Sequence, residues 1–414
     1  MWLPPRPPGA ARLTAVRALL GGGVSVAVLP WIVAARGGDG RDCLRLGALF
    51  AVATLASELP AALAGDRSGR ARPWLACAGL VQALGLATIA LGGSFAALAW
   101  GVVVVGVGAG LSTGAEGRAA LSIGRDARGI ASLEVSALLG KGGVACASAV
   151  LATLARAGAS GLEVARTAIA LSALGALLAA LIATTLRSGD RVRGTSSGRR
   201  DPRRMREERI DRRRWGSFGV LALIVAVSAL SVAARGTDTI DALGALQRGG
   251  GVLLCALVLA AKGVIARLLA PAIARRRVHG IAVAAAAATL PLALAPRLGS
   301  AWLLVDVAIA CGLAGAAAAA ARGVLLARVG PARAGVGVAI EASVRRLAMA
   351  AGALGLAALG APSLHGGSPY LGASCAALLG GLAALAPRVR ADLRRRLRVR
   401  GGVGDAATRA STTG

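Results

Sequence analysis

The chain has 414 residues, 56% of them apolar and 2% aromatic, and its formal net charge is +29. With a mean hydropathy of +0.68, its Ala, Leu and Val residues form blocks long enough to cross a bilayer core of about 30 Å as helices of roughly 20 residues. The near absence of aromatic residues disfavours nucleic-acid binding, because bases would find no stacking platform. The composition therefore predicts an integral membrane protein.

Twelve apolar segments have the length of a membrane span, and we predict an all-α fold of six plus six helices. The segments fall at residues 15–35, 43–65, 73–93, 96–117, 129–153, 166–186, 216–235, 249–273, 280–296, 301–321, 334–360 and 367–386. We interpret the first as an uncleaved helix rather than a signal peptide, because many spans follow it.

A polar stretch that contains twelve arginines, residues 187–214, separates the two sets of spans. It is too polar to form a core of its own, which predicts a linker at the membrane surface. The predicted organisation is a six-helix bundle over 1–186, the linker 187–214, a second bundle over 215–387 and a basic tail over 388–414.

Positive charge is concentrated in alternate connections between the spans. The N-terminus, the connection with Arg67, Arg70 and Arg72, the linker and the tail all carry arginines, whereas the opposite connections carry few or mixed charges. By the positive-inside rule we expect both termini in the cytoplasm, with the arginines also contacting anionic lipids.

The two halves of the chain resemble each other. The stretch from Gly110 to Leu121, followed by Glu134, corresponds to the stretch from Gly315 to Leu325, followed by Glu341, at an offset that drifts from 204 to 207 residues. Such an echo is typical of two repeats of the same orientation.

Charged side chains inside the predicted spans are candidates for a substrate or ion pathway, because each is costly in lipid unless paired or hydrated. Lysine is of special interest, since the chain has only two lysines, both near the middle of a span, and lysine readily changes protonation on burial. The candidates are Glu134, Lys141, Lys262, Asp306, Glu341 and Arg345.

Two interpretations of these charges remain open. In the first, each lysine snorkels to the membrane surface or pairs with a nearby acid, and pairs such as Glu134 with Arg267 or Glu341 with Arg345 hold helices in register. In the second, Lys141, Lys262 and Arg345 line a cavity that attracts an anionic group or exchanges a proton with Glu134 or Glu341. Asp306 could carry a proton or simply be wetted near the outer surface.

The sequence indicates neither a metal nor a cofactor. Its six cysteines are scattered without Cys-x-x-Cys spacing, its two histidines lie at span ends, and no Gly-x-x-x-x-Gly-Lys-Ser/Thr motif occurs.

The connection between the second and third predicted spans carries a recognisable motif. Asp66, Arg67, Gly69 and Arg70 fill the places of the motif Gly-x-x-x-Asp-Arg/Lys-x-Gly-Arg/Lys-Arg/Lys, with Ala62 at the place of the first glycine. On this motif the chain resembles the major facilitator superfamily. The approach Glu58-Leu59-Pro60 and the stretch Ser112 to Glu116 are similar to a bacterial efflux-like branch of that family.

The resemblance implies roles for the motif. Asp66 is expected to meet the N-terminus of the helix that begins near Ala334, and Arg70 is expected to meet Glu116. Together these contacts would latch the outward-open state, and the latch residues are Asp66, Arg67, Gly69, Arg70 and Glu116.

We therefore expect a monomeric secondary transporter in a cell membrane, of the kind found in the bacterial inner membrane. Its leading function is proton-coupled efflux of a small organic molecule by alternating access, and no enzymatic activity is expected. The alternatives are uptake or exchange of an anionic solute and, from a different class, a membrane-embedded lipid-linked transferase.

Overall fold

The structure is a computed structural model, and it is all-helical wherever it describes regular structure. The described residues are 10–20, 29, 31–124, 127–186, 222, 224–226, 228–229, 257, 260–261, 263–265, 267–269, 278–289, 309–310, 312–319, 321–322, 334–358, 375–376, 378–387 and 389–390. The linker 187–214 and almost all of the tail lie outside them.

The longer continuous stretches of described residues form helices. They are α1 (Ala10–Leu20), α2 (Gly40–Ser68), α3 (Arg72–Leu91), α4 (Phe95–Gly124), α5 (Ala127–Ala155), α6 (Gly161–Thr185), α7 (Val278–Thr289), α8 (Ala334–Ala358) and α9 (Leu378–Pro387). Among the described residues, α2 to α6 each contain a stretch long and apolar enough to cross a membrane. These five overlap predicted spans two to six, and α8 overlaps predicted span eleven.

Local sequence sets the bounds of α2. Asp39 caps its N-terminus by accepting hydrogen bonds from the backbone amides of Arg41 and Asp42, and the Asp42 side chain accepts one from the Asp39 amide. At the other end Gly69 adopts a left-handed conformation with φ of 66°, which only glycine takes without strain, and its amide bonds to the carbonyl of Gly65. The chain then turns directly into α3.

Small residues let the helices of the first half approach closely. A Cβ atom on Gly85 of α3 would lie 2.8 Å from the carbonyl oxygen of Gly101 on α4, and one on Gly101 would lie 2.9 Å from the carbonyl oxygen of Gly85. The two backbones are therefore in direct contact, as is common between membrane helices. On the other face of α3, Gly79 meets α6 in the same way, against Ala176 and Ala180.

The outward faces of α3 and α6 are apolar. Leu84 is 65% exposed and Leu181 is also 65% exposed, with further exposed leucines along both helices. Exposed leucines in such rows are expected where the surrounding solvent is lipid.

The helix α8 packs antiparallel along α2. At one end of this contact Asp66 meets the start of α8, in the middle Glu58 meets Ser343 and Arg346, and further along Ala48 and Ala51 pack against Ala350. The second half of the chain thus lies directly against the first along this helix pair, and several charged residues gather beside it.

Candidate functional site

The carboxylate of Asp66 sits at the N-terminus of α8. Its Oδ2 accepts a hydrogen bond of 2.9 Å from the backbone amide of Val336. The first amides of a helix lack intrahelical partners and carry partial positive charge, so a carboxylate is a favourable cap. Gly335 makes this approach feasible, because a Cβ atom there would lie 2.5 Å from Asp66 Oδ1. The contact expected between Asp66 and the helix near Ala334 is present.

The arginine that pairs with Asp66 is Arg118 of α4, whose Nη2 donates to Asp66 Oδ1. The expected pairing of Arg70 with Glu116 is wrong. Arg70 lies exposed after the end of α2, and the Glu116 carboxylate is bound by Arg17 instead. Glu116 and Arg118 are two residues apart on α4, so they point to different sides of the helix, and Arg118 is the one that reaches the end of α2.

Arg67 and Gly69 complete the motif at the turn itself. Arg67 is exposed in the last turn of α2, where a cation complements the helix dipole. Gly69 ends the helix through its left-handed conformation. The two residues therefore shape and charge the turn that presents Asp66.

A second contact between the halves is built around Glu58, two turns before Asp66 on α2. Glu58 Oε2 lies 2.7 Å from Nη1 of Arg346 on α8 and accepts a hydrogen bond of 3.3 Å from the Ser343 hydroxyl. Arg346 Nη2 donates to the hydroxyl of Thr113 on α4 at 3.0 Å. Arg346 thus joins α2, α4 and α8.

A third contact is a chain of alternating charges. Arg17 of α1 binds Glu116 of α4 at 2.9 Å and Glu134 of α5 at 2.6 Å. Arg322 binds the other oxygen of Glu134 at 3.2 Å and Glu341 of α8 at 3.3 Å. Glu134 therefore forms an ion pair with one arginine from each half of the chain.

The chain of charges ends on α8, where Arg345 lies 3.7 Å from Glu341. Arg17 is 3% exposed and Glu341 is 4% exposed. Charges this deeply buried are tolerated only when paired, and removing one partner typically costs about 3–5 kcal/mol. This network therefore holds α1, α4 and α5 of the first half to Arg322 and α8 of the second.

The pairings suggested from sequence for these residues were partly right. Glu341 does pair with Arg345, but Glu134 pairs with Arg17 and Arg322 rather than with Arg267. Local spacing thus identified the pair within one helix and missed the pairs between helices.

Lys141 follows Glu134 by two turns of α5 and is half-buried, within electrostatic reach of Glu116, Arg17, Glu134 and Arg322. Among the described residues it forms no hydrogen bond or ion pair. The three carboxylates of the network are already shared among arginines, so Lys141 adds a cation without a carboxylate of its own there. The other two pathway candidates, Lys262 and Asp306, lie outside the described residues.

Sequence reasoning missed Arg17, Arg118, Arg322 and the Glu58–Arg346 pair. Arg17 falls within the first predicted span but is not among the candidates chosen from the sequence. For Arg118 and Arg322 the sequence did hold a signal, because the resemblance between the two halves, at an offset of 204 residues, places Arg118 at the position that corresponds to Arg322.

In the part of the chain that the structure describes, no cluster of three or more histidine, cysteine or acidic residues is arranged to hold a metal ion.

The described helices therefore form a multi-helix bundle in which the two halves of the chain meet across charged side chains. The sequence profile described as "Major Facilitator Superfamily" matches residues 13–353, and the chain belongs to this family. The family is one of transporters, which argues against the transferase. None of the curated protein sequences matches the chain significantly.

Solved structures share the fold at low sequence identity. The xylose transporter XylE from E. coli, in a partially occluded inward-open conformation, superposes with a TM-score of 0.65 at 15% identity over 90% of this chain and 96% of its own. The human organic anion transporter MFSD10 gives 0.60 at 18% identity over 92% and 100%. A peptide transporter of the POT type gives 0.63 at 14% identity over 92% and 95%.

Proposed function

We propose that the protein is a proton-coupled secondary transporter that exports a small organic molecule by alternating access. In this proposal twelve helices form two bundles, over 1–186 and 215–387, joined by the cytoplasmic linker 187–214. Both termini lie in the cytoplasm of a bacterial cell, and the monomer works in the inner membrane. The arginines of the linker and of the tail over 388–414 contact anionic lipids.

The observation that supports this proposal most directly is the set of polar contacts that ties α8 to the first half. Asp66, Glu58 and Glu134 each contact a group from the second half near the end of the bundle where α2 ends and α8 begins. Arginines follow at the same end, at positions 67, 70 and 72, which the positive-inside rule assigns to the cytoplasm. The arrangement is then an outward-facing transporter whose cytoplasmic side is closed by these contacts.

We expect the Asp66 contact to stabilise the closed state by an amount suited to a latch. A carboxylate that caps a helix and accepts a charge-assisted hydrogen bond contributes about 1–3 kcal/mol. A coupling of that size shifts a two-state population by about 5–150-fold, which biases one conformation without making it permanent.

The test is Asp66→Asn in the full-length protein reconstituted in proteoliposomes. We expect normal membrane insertion, a higher accessibility of the cytoplasmic side to a thiol reagent and impaired transport. Asp42→Asn is the matched control, because Asp42 lies on the same helix at its opposite end and, among the described residues, its side chain bonds only within its own turn. Unchanged transport and accessibility in Asp66→Asn would contradict the latch.

Proton coupling and export can be examined separately in everted vesicles. An imposed pH gradient should drive uptake of the exported solute, and an uncoupler should abolish that uptake. The solute for this assay is identified by a screen of an expressing strain, in which resistance to each compound and its accumulation are measured together. Indifference to the uncoupler would contradict proton coupling while leaving transport intact.

A second candidate function, uptake or exchange of an anionic solute, is favoured by Lys141. Its ammonium group lies beside the charge network without a carboxylate partner among the described residues. The fold does not decide between solutes, since the similar structures are named as transporters of xylose, organic anions and peptides.

A further inference from the structure

We propose that Glu58 is the group that binds the coupling proton, an inference that rests on the proposed proton-coupled transport. Glu58 is 0% exposed and lies two turns before Asp66 on α2, where that helix packs against both α4 and α8. It is thus a carboxylate enclosed between the two halves of the chain rather than a surface charge.

The two oxygens of Glu58 have different surroundings. Oε2 faces the Arg346 guanidinium and accepts the Ser343 hydrogen bond, whereas Oε1 is buried and has no hydrogen-bond partner among the described residues. Buried polar atoms without partners are rare and mark functional or strained positions. Oε1 is therefore the oxygen atom that is available to bind a proton.

The charged groups that face Glu58 in the described part of the chain are cations. Arg346 of α8 is in contact with it, and Arg345 of α8 and Arg322 of the preceding helical segment of the second half lie within electrostatic reach. The α4 helix contributes the uncharged Thr113 hydroxyl. The negative charge of Glu58 is therefore balanced by the second half of the chain.

This arrangement links proton binding to separation of the halves. While the outer side is open, a proton from the outer compartment bonds to Oε1 and gives a neutral carboxylic acid, which breaks the ion pair with Arg346. The helix α8 can then separate from α2, the cytoplasmic side opens, and the proton leaves to the cytoplasm. When α8 returns, the ionised Glu58 forms the ion pair with Arg346 again. One proton is bound and released in each cycle.

The experiment needs no substrate. The full-length protein, with its native cysteines replaced, is reconstituted in vesicles of phosphatidylethanolamine and phosphatidylglycerol and spin-labelled at Leu63 of α2 and Ile340 of α8, both of which are exposed. The distance between the labels is measured by pulsed electron paramagnetic resonance across a pH series. Infrared difference spectra over the same series report the carbonyl band of protonated carboxyl groups.

In the wild-type background we expect the distance to lengthen as the pH falls, together with growth of a carbonyl band. Glu58→Gln should abolish both the pH dependence of the distance and that band. Arg346→Gln should leave the labels far apart at every pH while the band remains. Glu163→Gln, a change of an exposed glutamate on α6, should keep both responses.

Several outcomes would overturn the assignment. One is a wild-type distance that does not change with pH, and another is a pH-dependent distance that survives in Glu58→Gln. If Glu58 had only a structural role, Glu58→Gln would change the fraction of molecules with separated halves, but the distance would still depend on pH. If Glu58→Gln fails to fold, a pH-dependent distance in Arg346→Gln rejects the proposal. Failure of the proposed function is distinguishable, because it would appear as absence of solute flux in the same vesicles.

Discussion

The backbone amide of Val336 donates a hydrogen bond to the carboxylate of Asp66, which precedes it by 270 residues. This bond joins the end of a helix in the first half of the chain to the beginning of a helix in the second. Its geometry depends on the absence of a side chain at Gly335, which gives a sensitive way to weaken it without touching any charge.

Gly335→Ala should displace the Asp66 carboxylate from α8, because the new Cβ atom would lie 2.5 Å from Oδ1. We expect a loss of about 1–3 kcal/mol in the closed state, seen as increased thiol accessibility of the cytoplasmic side. Gly47→Ala is the control, since a Cβ atom at that position of α2 meets nothing within 4 Å. Equal accessibility in both variants would argue that the cap contributes nothing.

Arg118 and Arg70 should differ sharply in their sensitivity to substitution. Arg118→Gln removes the ion pair to Asp66, so we expect transport to fall at least about fivefold, which corresponds to about 1 kcal/mol. Arg70→Gln changes an exposed side chain outside the described charge network and should alter transport by less than about twofold, within the range of surface substitutions. A larger effect at Arg70 than at Arg118 would reverse the assignment.

Arg322→Gln should destabilise the joined halves, because Arg322 is shared by Glu134 and Glu341. We expect a loss of about 3 kcal/mol, near the lower end for breaking a buried pair, since each carboxylate keeps another arginine. Thermal unfolding in detergent measures the loss. The double variant Arg322→Gln/Glu341→Gln restores the charge balance and should recover part of the stability. If the double variant loses more stability than the two single variants lose together, the result would contradict the pairing of Arg322 with Glu341.

Lys141→Ala should weaken transport of anionic solutes while leaving cationic solutes unaffected, because it removes a cation that lacks a carboxylate partner among the described residues. The same result is expected for Lys262→Ala. Lys141→Arg, which keeps the charge, serves as the control and should retain most of the activity. The ratio of initial rates for an anionic and a cationic solute in proteoliposomes is the measurement. Equal loss for both solutes would indicate that Lys141 only packs.

The helices α2 to α6 could be predicted from sequence because burial in lipid requires continuous apolar segments, which hydropathy detects directly. The residues at which these helices end were predicted less accurately. The helix α4, for example, continues to Gly124 although the predicted span ends at 117. A helix can extend into water beyond the lipid, and hydropathy does not report that extension.

The contacts of the candidate site could be predicted only where a motif or a local spacing in the sequence indicated them. The contact of Asp66 with α8 followed from the family resemblance, and the pairing of Glu341 with Arg345 followed from their separation by one helical turn. Arg17 with Glu134, by contrast, joins residues far apart in sequence. Which of many arginines meets a given carboxylate depends on the tertiary register of helices, and no local pattern records it.

The crossing of α3 and α4 at Gly85 and Gly101 has a consequence for measurement. Because backbone meets backbone at that point, no rotamer change can alter the spacing of the two axes, and the contact of Gly79 with α6 fixes a third helix in the same manner. We therefore expect these three helices to form a rigid frame within the first half. Distances measured between probes on them should stay constant through the transport cycle, and every displacement of α8 can be referenced to that frame.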